Sequence, residues 1–120
     1  MKISILLPYK ENFSPTYPGA VSLFVNATNK LSKFKKNIIV YGSTSHKKKL
    51  SNNYININLT KKFLSSQSKE YVNKFFEINK DNPPDVIEIH NRPIYVNKLI
   101  ELKSKIVLYL IYKRLKQELL

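Results

Sequence analysis

Lys2-Ile3-Ser4-Ile5-Leu6-Leu7-Pro8 stands near the start of the chain, a short and nearly continuous apolar run of the kind that lies in a parallel sheet with both faces covered. Pro8 ends it. The stretch that follows, from Tyr9 to Gly19, holds Asn12, Ser14, Pro15, Pro18 and Gly19, turn formers that make a loop unusually long for a strand-to-helix connection. From Ala20 the period becomes helical. Ala20, Phe24, Ala27 and Leu31, with Val21, Val25 and Thr28 alongside, share one face, and this spacing predicts an amphipathic helix that buries that face and ends near Lys33.

The same alternation continues down the chain. Asn37 to Tyr41 reads as a second strand stopped by Gly42, followed by a polar loop, Ser43 to Asn53, with Lys47, Lys48 and Lys49 in its middle. Ile55, Ile57 and Leu59 alternate with Asn56 and Asn58, the pattern of an edge strand that buries one face. Ser68 as N-cap and Glu70 in the first turn open a second helix, carried by Val72, Phe75, Phe76 and Asn79 and ended by Pro83 and Pro84. Val86 to Ile89 is a fourth strand that runs into His90, Asn91 and Arg92, after which Pro93 occupies the first turn of a third helix lined by Tyr95, Leu99 and Leu102, with Val96 and Ile100. Lys105 to Ile111 reads as a fifth strand, and Lys113 to Leu120 has helical propensity without a stop signal.

Strands and helices in this order predict a Rossmann-like α/β domain of three layers with a mostly parallel five-stranded sheet and right-handed crossovers. In such sheets ligands gather at the carboxyl ends of the strands beside the point where the strand order reverses. That point is expected between the first and fourth strands. Pro8 to Gly19 and His90 to Pro93 would then face one crevice.

Composition bounds the function. A chain of 120 residues suits one domain, and 42% hydrophobic with 24% charged residues is ordinary for a packed core. The absence of cysteine excludes disulfides, thiolate catalysis and cysteine-ligated zinc. Neither apolar run is long enough for a signal peptide core or a membrane span, so the expected compartment is the cytoplasm. The net charge of +13 favours anionic partners such as nucleotide phosphates, acidic lipid headgroups or nucleic acid, yet nearly all of it is lysine. Arg92 and Arg114 are the only arginines. Sequence-specific nucleic acid recognition, which relies on arginine forks, is therefore not expected, and a solvated lysine surface accounts for the same charge.

Two places could carry chemistry. Gly19 before Ala20 sets free backbone N–H groups at a helix N-terminus, where a phosphate could approach, although one glycine before a helix also suits a simple turn and no dinucleotide or P-loop fingerprint is present. Glu88, His90, Asn91 and Arg92 form the densest polar cluster at a strand end, and strand alternation puts Glu88 and His90 on one face. These groups suit sugar hydroxyls or a phosphate; alternatively Glu88 pairs with a lysine and Asn91 caps the third helix. Tyr9 and Tyr95 could stack on a sugar or pack at the rim. The two histidines, His46 and His90, lie far apart without a carboxylate triad, so no metal site is expected. No residue is assigned to catalysis.

The run Met1 to Tyr9, the loop closing in Pro18-Gly19-Ala20-Val21, and Asp85-Val86-Ile87-Glu88-Ile89-His90-Asn91-Arg92-Pro93 together resemble the N-terminal domain of bacterial family 4 glycosyltransferases of the GT-B fold. The resemblance covers residues 1–109, with residues 110–120 a divergent, helical tail. It implies two facing Rossmann-like domains, of which this one holds the hydroxyl acceptor and the other, lacking here, most of the nucleotide-sugar donor. By motif, Gly19 and Ala20 would approach the donor phosphates, and the polar end of the fourth strand maps to His90, Asn91 and Arg92; Tyr9 and Glu88, singled out above from the residues themselves, complete the expected substrate contacts. The nucleotide sugar is a co-substrate, and no cofactor is implied. Family members carry an aromatic residue and then histidine at the end of the fifth strand, whereas this chain reads Tyr109-Leu110-Ile111-Tyr112. A truncated fragment, inactive alone, is the expected consequence. The alternative is a non-catalytic module that binds a nucleotide, an anionic surface, including peripheral contact with an anionic membrane, or a separate donor domain.

Overall fold

The computed structural model describes residues 1–60, residues 66–102 and the backbone of residues 107–110. In chain order the elements are β1 (Ile3–Leu6), α1 (Ala20–Leu31), a 3-10 turn at Lys35–Asn37, β2 (Ile38–Gly42), β3 (Tyr54–Asn56), α2 (Gln67–Asn79), β4 (Val86–Ile89), α3 (Pro93–Glu101) and β5 (Val107–Leu110). The body of the sheet is β3-β2-β1-β4, and the backbone of β5 pairs with the outer side of β4. Every neighbouring pair is parallel. The proposed helical tail lies outside the described residues, as do Lys105, Ile106 and Ile111 of the expected fifth strand.

All four residues of β1 are buried, which is why this strand reads as an unbroken apolar run instead of alternating. Ile3, Ile5 and Leu7 face one way and pack with Phe13, Ile38, Val40 and Val25 of α1. Leu6 faces the other way, into a larger cluster with Tyr41, Ile57, Ile87 and Ile89 under Tyr71, Val72 and Phe75 of α2 and Tyr95 and Leu99 of α3. Helices therefore cover both faces, giving a broadly Rossmann-like α/β domain. Each fully buried aliphatic side chain contributes about 2 kcal/mol. No helix among the described residues is long and apolar enough to cross a membrane.

Polar groups inside the core find partners where the chain must place them. The Tyr71 hydroxyl donates to the Leu7 carbonyl at 2.7 Å, fastening α2 to the end of β1. Asn79 is held by the Tyr41 hydroxyl, which donates to its Oδ1 at 3.2 Å, and itself donates through Nδ2 to the Phe75 carbonyl at 2.9 Å. Ser4 Oγ, at the centre of β1, is buried without a partner among the described residues.

Several local expectations change in register. In α1 the inward residues are Val21, Ser22 and Val25, while Ala20, Phe24, Ala27 and Leu31 face out; Leu23 is 49% and Leu31 89% exposed. The helix carries apolar residues on more than one face, and periodicity alone does not choose between them. A tether does: Ser22 is bound by the Glu11 carboxylate beneath it. In α2 the N-cap is Ser66, whose Oγ accepts from the Lys69 N–H at 3.4 Å, two residues before the expected Ser68. The third strand is shorter than expected, and Ile57 and Leu59 join the core from the segment after β3, while Ile55 within it is left 39% exposed at the sheet edge. Ile100 of α3 is likewise solvent-facing.

Candidate functional site

Leu6 and Ile89 are register partners in the parallel pair β1–β4, so the chain leaves both strands side by side at the switch point. The two exits are also bonded together. The Tyr9 N–H donates to the Tyr95 hydroxyl at 3.0 Å, linking the loop after β1 to the first turn of α3. Glu88 and His90, two residues apart on one strand face, meet with Nε2 and Oε1 at 2.6 Å. His90 is buried, and its ring makes a T-shaped pair with Phe24 of α1 at 5.9 Å between centroids. Among the described residues Glu88 thus holds a histidine and not a lysine.

Asn91 does not cap α3. It adopts a left-handed backbone, φ 53°, and turns the chain out of β4, while Arg92 takes the N-cap place without a side-chain cap bond. The Arg92 guanidinium donates to the Asn91 carbonyl at 2.7 Å. Lys10 (φ 66°) and Tyr17 (φ 49°) share this backbone region, and both belong to the loop after β1. Three non-glycine residues in a conformation costing about 1–2 kcal/mol each gather at the carboxyl ends of the two central strands.

Gly19 and Ala20 stand at the N-terminus of α1, as the motif requires, but the anion there belongs to the protein. Glu11 Oε2 accepts from the Ser22 N–H at 3.1 Å and from the Ser22 hydroxyl at 2.7 Å, satisfying an orphan donor of the first turn and facing the positive end of the helix dipole. A Cβ on Gly19 would fall 1.7 Å from that oxygen. The glycine is thus required for the approach of the carboxylate, since its own φ of −72° is open to any residue. A phosphate at this point would have to displace Glu11.

The largest described crevice near the strand ends lies on the other side of β1. It has a volume of about 600 Å³ and is bounded by the loop after β1, the loop after β2 and the end of β3, with Tyr9, Lys10, His46, Asn56 and Asn58 on its walls. Of the residues singled out from sequence, it takes in Tyr9 but not Gly19, Ala20, Glu88, His90, Asn91 or Arg92. Thr44, 5% exposed, is the joint of this wall. Its Oγ1 accepts from the Phe13 N–H at 3.0 Å and donates to the Glu11 carbonyl at 3.1 Å, and its N–H donates to Asn56 Oδ1 at 2.8 Å. The Tyr54 hydroxyl lies 2.8 Å from the same Asn56 oxygen, and Asn56 Nδ2 donates to Asn58 Oδ1 at 2.7 Å. Burial raises the Tyr54 phenol above its ordinary value, so it is a neutral donor in this wall.

Sequence reasoning read Asn56 and Asn58 only as the wet face of an edge strand and His46 as an exposed loop residue. Their one sequence signal was the two-residue alternation of amides; their convergence with Lys10 depends on a parallel pairing between β2 and β3 that no local pattern states. A cleft of about 240 Å³ between α2 and α3, near Val72 and Tyr95, lies away from these strand ends. Among the described residues no three metal-ligating side chains come together. Comparison with protein-family models, curated proteins and solved structures gives no match for this chain.

Proposed function

We propose that this chain is the acceptor-side half of a glycosyltransferase of GT-B architecture, its sheet completed by β5 as a fifth strand, and that it holds a hydroxyl acceptor while a donor-binding half supplies the nucleotide sugar. The observation that supports this reading best is the Glu88–His90 pair at the β1–β4 switch point, 2.6 Å apart. A carboxylate fixes the imidazole from its own strand, and the buried ring then positions the turn through Asn91 and Arg92. Those two side chains offer an amide and a guanidinium to an acceptor's oxygens. Half a cleft does not transfer sugar, because acceleration needs both reactants held together and the departing diphosphate stabilised.

Incubating the purified chain with a panel of nucleotide sugars and hydroxyl acceptors tests this, product being followed by mass spectrometry. The chain alone is expected to give neither transfer nor donor hydrolysis. Acceptors should shift the Tyr9, Asn91 and Arg92 amide resonances, and His90→Ala should weaken that response. Turnover by the chain alone, or acceptor shifts confined to other surfaces, would remove the reading.

A second reading, a non-catalytic Rossmann-like module, is favoured by Glu11. With its carboxylate already at the N-terminus of α1, the glycine loop is arranged to complete the domain without a donor diphosphate. The two readings differ in Glu11→Gln: a donor site hidden beneath Glu11 would gain affinity for a nucleoside diphosphate on losing the charge, and a purely structural cap would gain none.

A further inference from the structure

We infer that the crevice at the ends of β1, β2 and β3 is a binding site for a sugar bearing a negatively charged group. The inference stands apart from the transferase reading, since it concerns equilibrium binding at residues that, Tyr9 excepted, that reading does not use.

Three observations lead to this ligand class. The crevice, about 600 Å³, falls in the usual range for small-molecule sites, yet apart from the Tyr9 ring and Leu59 its described walls carry amide, hydroxyl and imidazole groups and the Lys10 ammonium. Such walls suit a ligand whose every carbon carries a donor and acceptor. An acyl chain would leave these groups unpaired. The amides are also fixed beforehand: Asn56 is held by the Thr44 N–H and the Tyr54 hydroxyl and in turn orients Asn58, so ordering them on binding costs little.

Charge supplies the rest. Lys10 brings an ammonium group to the crevice and His46 an imidazole, and among the described residues no carboxylate lines it. Of the acids nearby, Glu11 is bound to Ser22, and Glu70 accepts from the N–H and hydroxyl of the wall residue Thr60 at 3.2 and 2.8 Å. At the rim, Lys49 Nζ is tied to the carbonyls of Thr44 and His46, and Lys47 and Lys48 are exposed beside it. Lys10 is held at the wall by a left-handed backbone, φ 66°, a strained conformation of the kind found at ligand sites.

Amide-detected NMR titration of the whole chain tests the site, with glucose 1-phosphate, glucuronate, glucose and inorganic phosphate as separate probes. Glucose 1-phosphate or glucuronate should shift the amides of Lys10, residues 43–46, Asn56 and Asn58, with Kd on the order of 1 mM. Whichever of the two binds more tightly identifies the anionic group as phosphate or carboxylate. Glucose and inorganic phosphate should each bind at least about tenfold more weakly, because each offers half of the recognised chemistry. Lys10→Asn removes the charge with a residue that tolerates the left-handed backbone, and His46→Gln removes the imidazole; each should weaken the charged sugar severalfold and leave glucose unchanged. Equal binding of phosphate and sugar phosphate, equal binding of glucose and the charged sugars, shifts located elsewhere, or no shift with any probe would each overturn the assignment.

Discussion

Glu11 illustrates how one side chain can settle what a motif leaves open. A glycine before a helix offers its N–H groups to any anion, and here a carboxylate eight residues upstream reaches them first. Glu11→Gln keeps the shape and removes the charge, so unfolding in urea should show a loss of about 1–2 kcal/mol from the helix-terminal interaction. Gly19→Ala pushes the same carboxylate away, and the two changes combined should cost clearly less than their sum. Additive losses would mean that Gly19 and Glu11 act separately. Tyr71 gives a second test. Burial, with smaller contributions from Tyr95 and Tyr54, pushes its phenol well above the ordinary value of 10.0. Below that pH the phenol is neutral whether folded or unfolded, and its bond to the Leu7 carbonyl contributes in full. Above it the unfolded chain ionises first, so stability falls as pH rises towards the raised folded value. Tyr71→Phe should cost about 1 kcal/mol at neutral pH and make the alkaline loss visibly shallower than in the parent, as read from urea midpoints on either side of pH 10.0.

At the scale of the element, α1 carries the largest difference between pattern and fold. Its inward face is built from the small or β-branched residues Val21, Ser22 and Val25, which let the helix lie close to the sheet, and the larger Leu23, Phe24 and Leu31 are left at the surface. Val25→Ala should therefore destabilise by about 2 kcal/mol, whereas Leu31→Ala should change stability by less than about 0.5 kcal/mol. The reverse ranking in thermal or urea melts would restore the rotation expected from periodicity. The second strand shows a related constraint. A Cβ on Gly42 would lie 2.9 Å from the Tyr54 hydroxyl and 3.1 Å from a methyl of Leu7, so this glycine ends β2 and also leaves room for the ring that braces Asn56.

For the whole molecule the dominant property is charge, +13 over 120 residues. Lysines without arginine forks attract phosphate and do not read bases. Fluorescence anisotropy with duplexes of unrelated sequence should show equal, weak affinities that fall steeply between roughly 50 and 200 mM salt. One duplex preferred strongly at the higher salt would show base recognition.

Much of the architecture was legible because the local code and the global fold agree. The unbroken apolar run of β1 announces a strand covered on both faces, the order of strand and helix periods implies parallel pairing, and right-handed crossovers then put β1 beside β4. Strand alternation likewise put Glu88 and His90 on one face, and the structure closes them to 2.6 Å. Periodicity reports that a helix has an apolar face without saying which of two such faces meets the sheet, and for α1 the Glu11–Ser22 tether decided. A glycine loop announces a place for an anion, and only the folded loop reveals that the anion is Glu11. The polar crevice belonged wholly to the tertiary structure, because Lys10, Thr44 and Asn56 come from three separate strand exits and share a wall only after β1, β2 and β3 have paired.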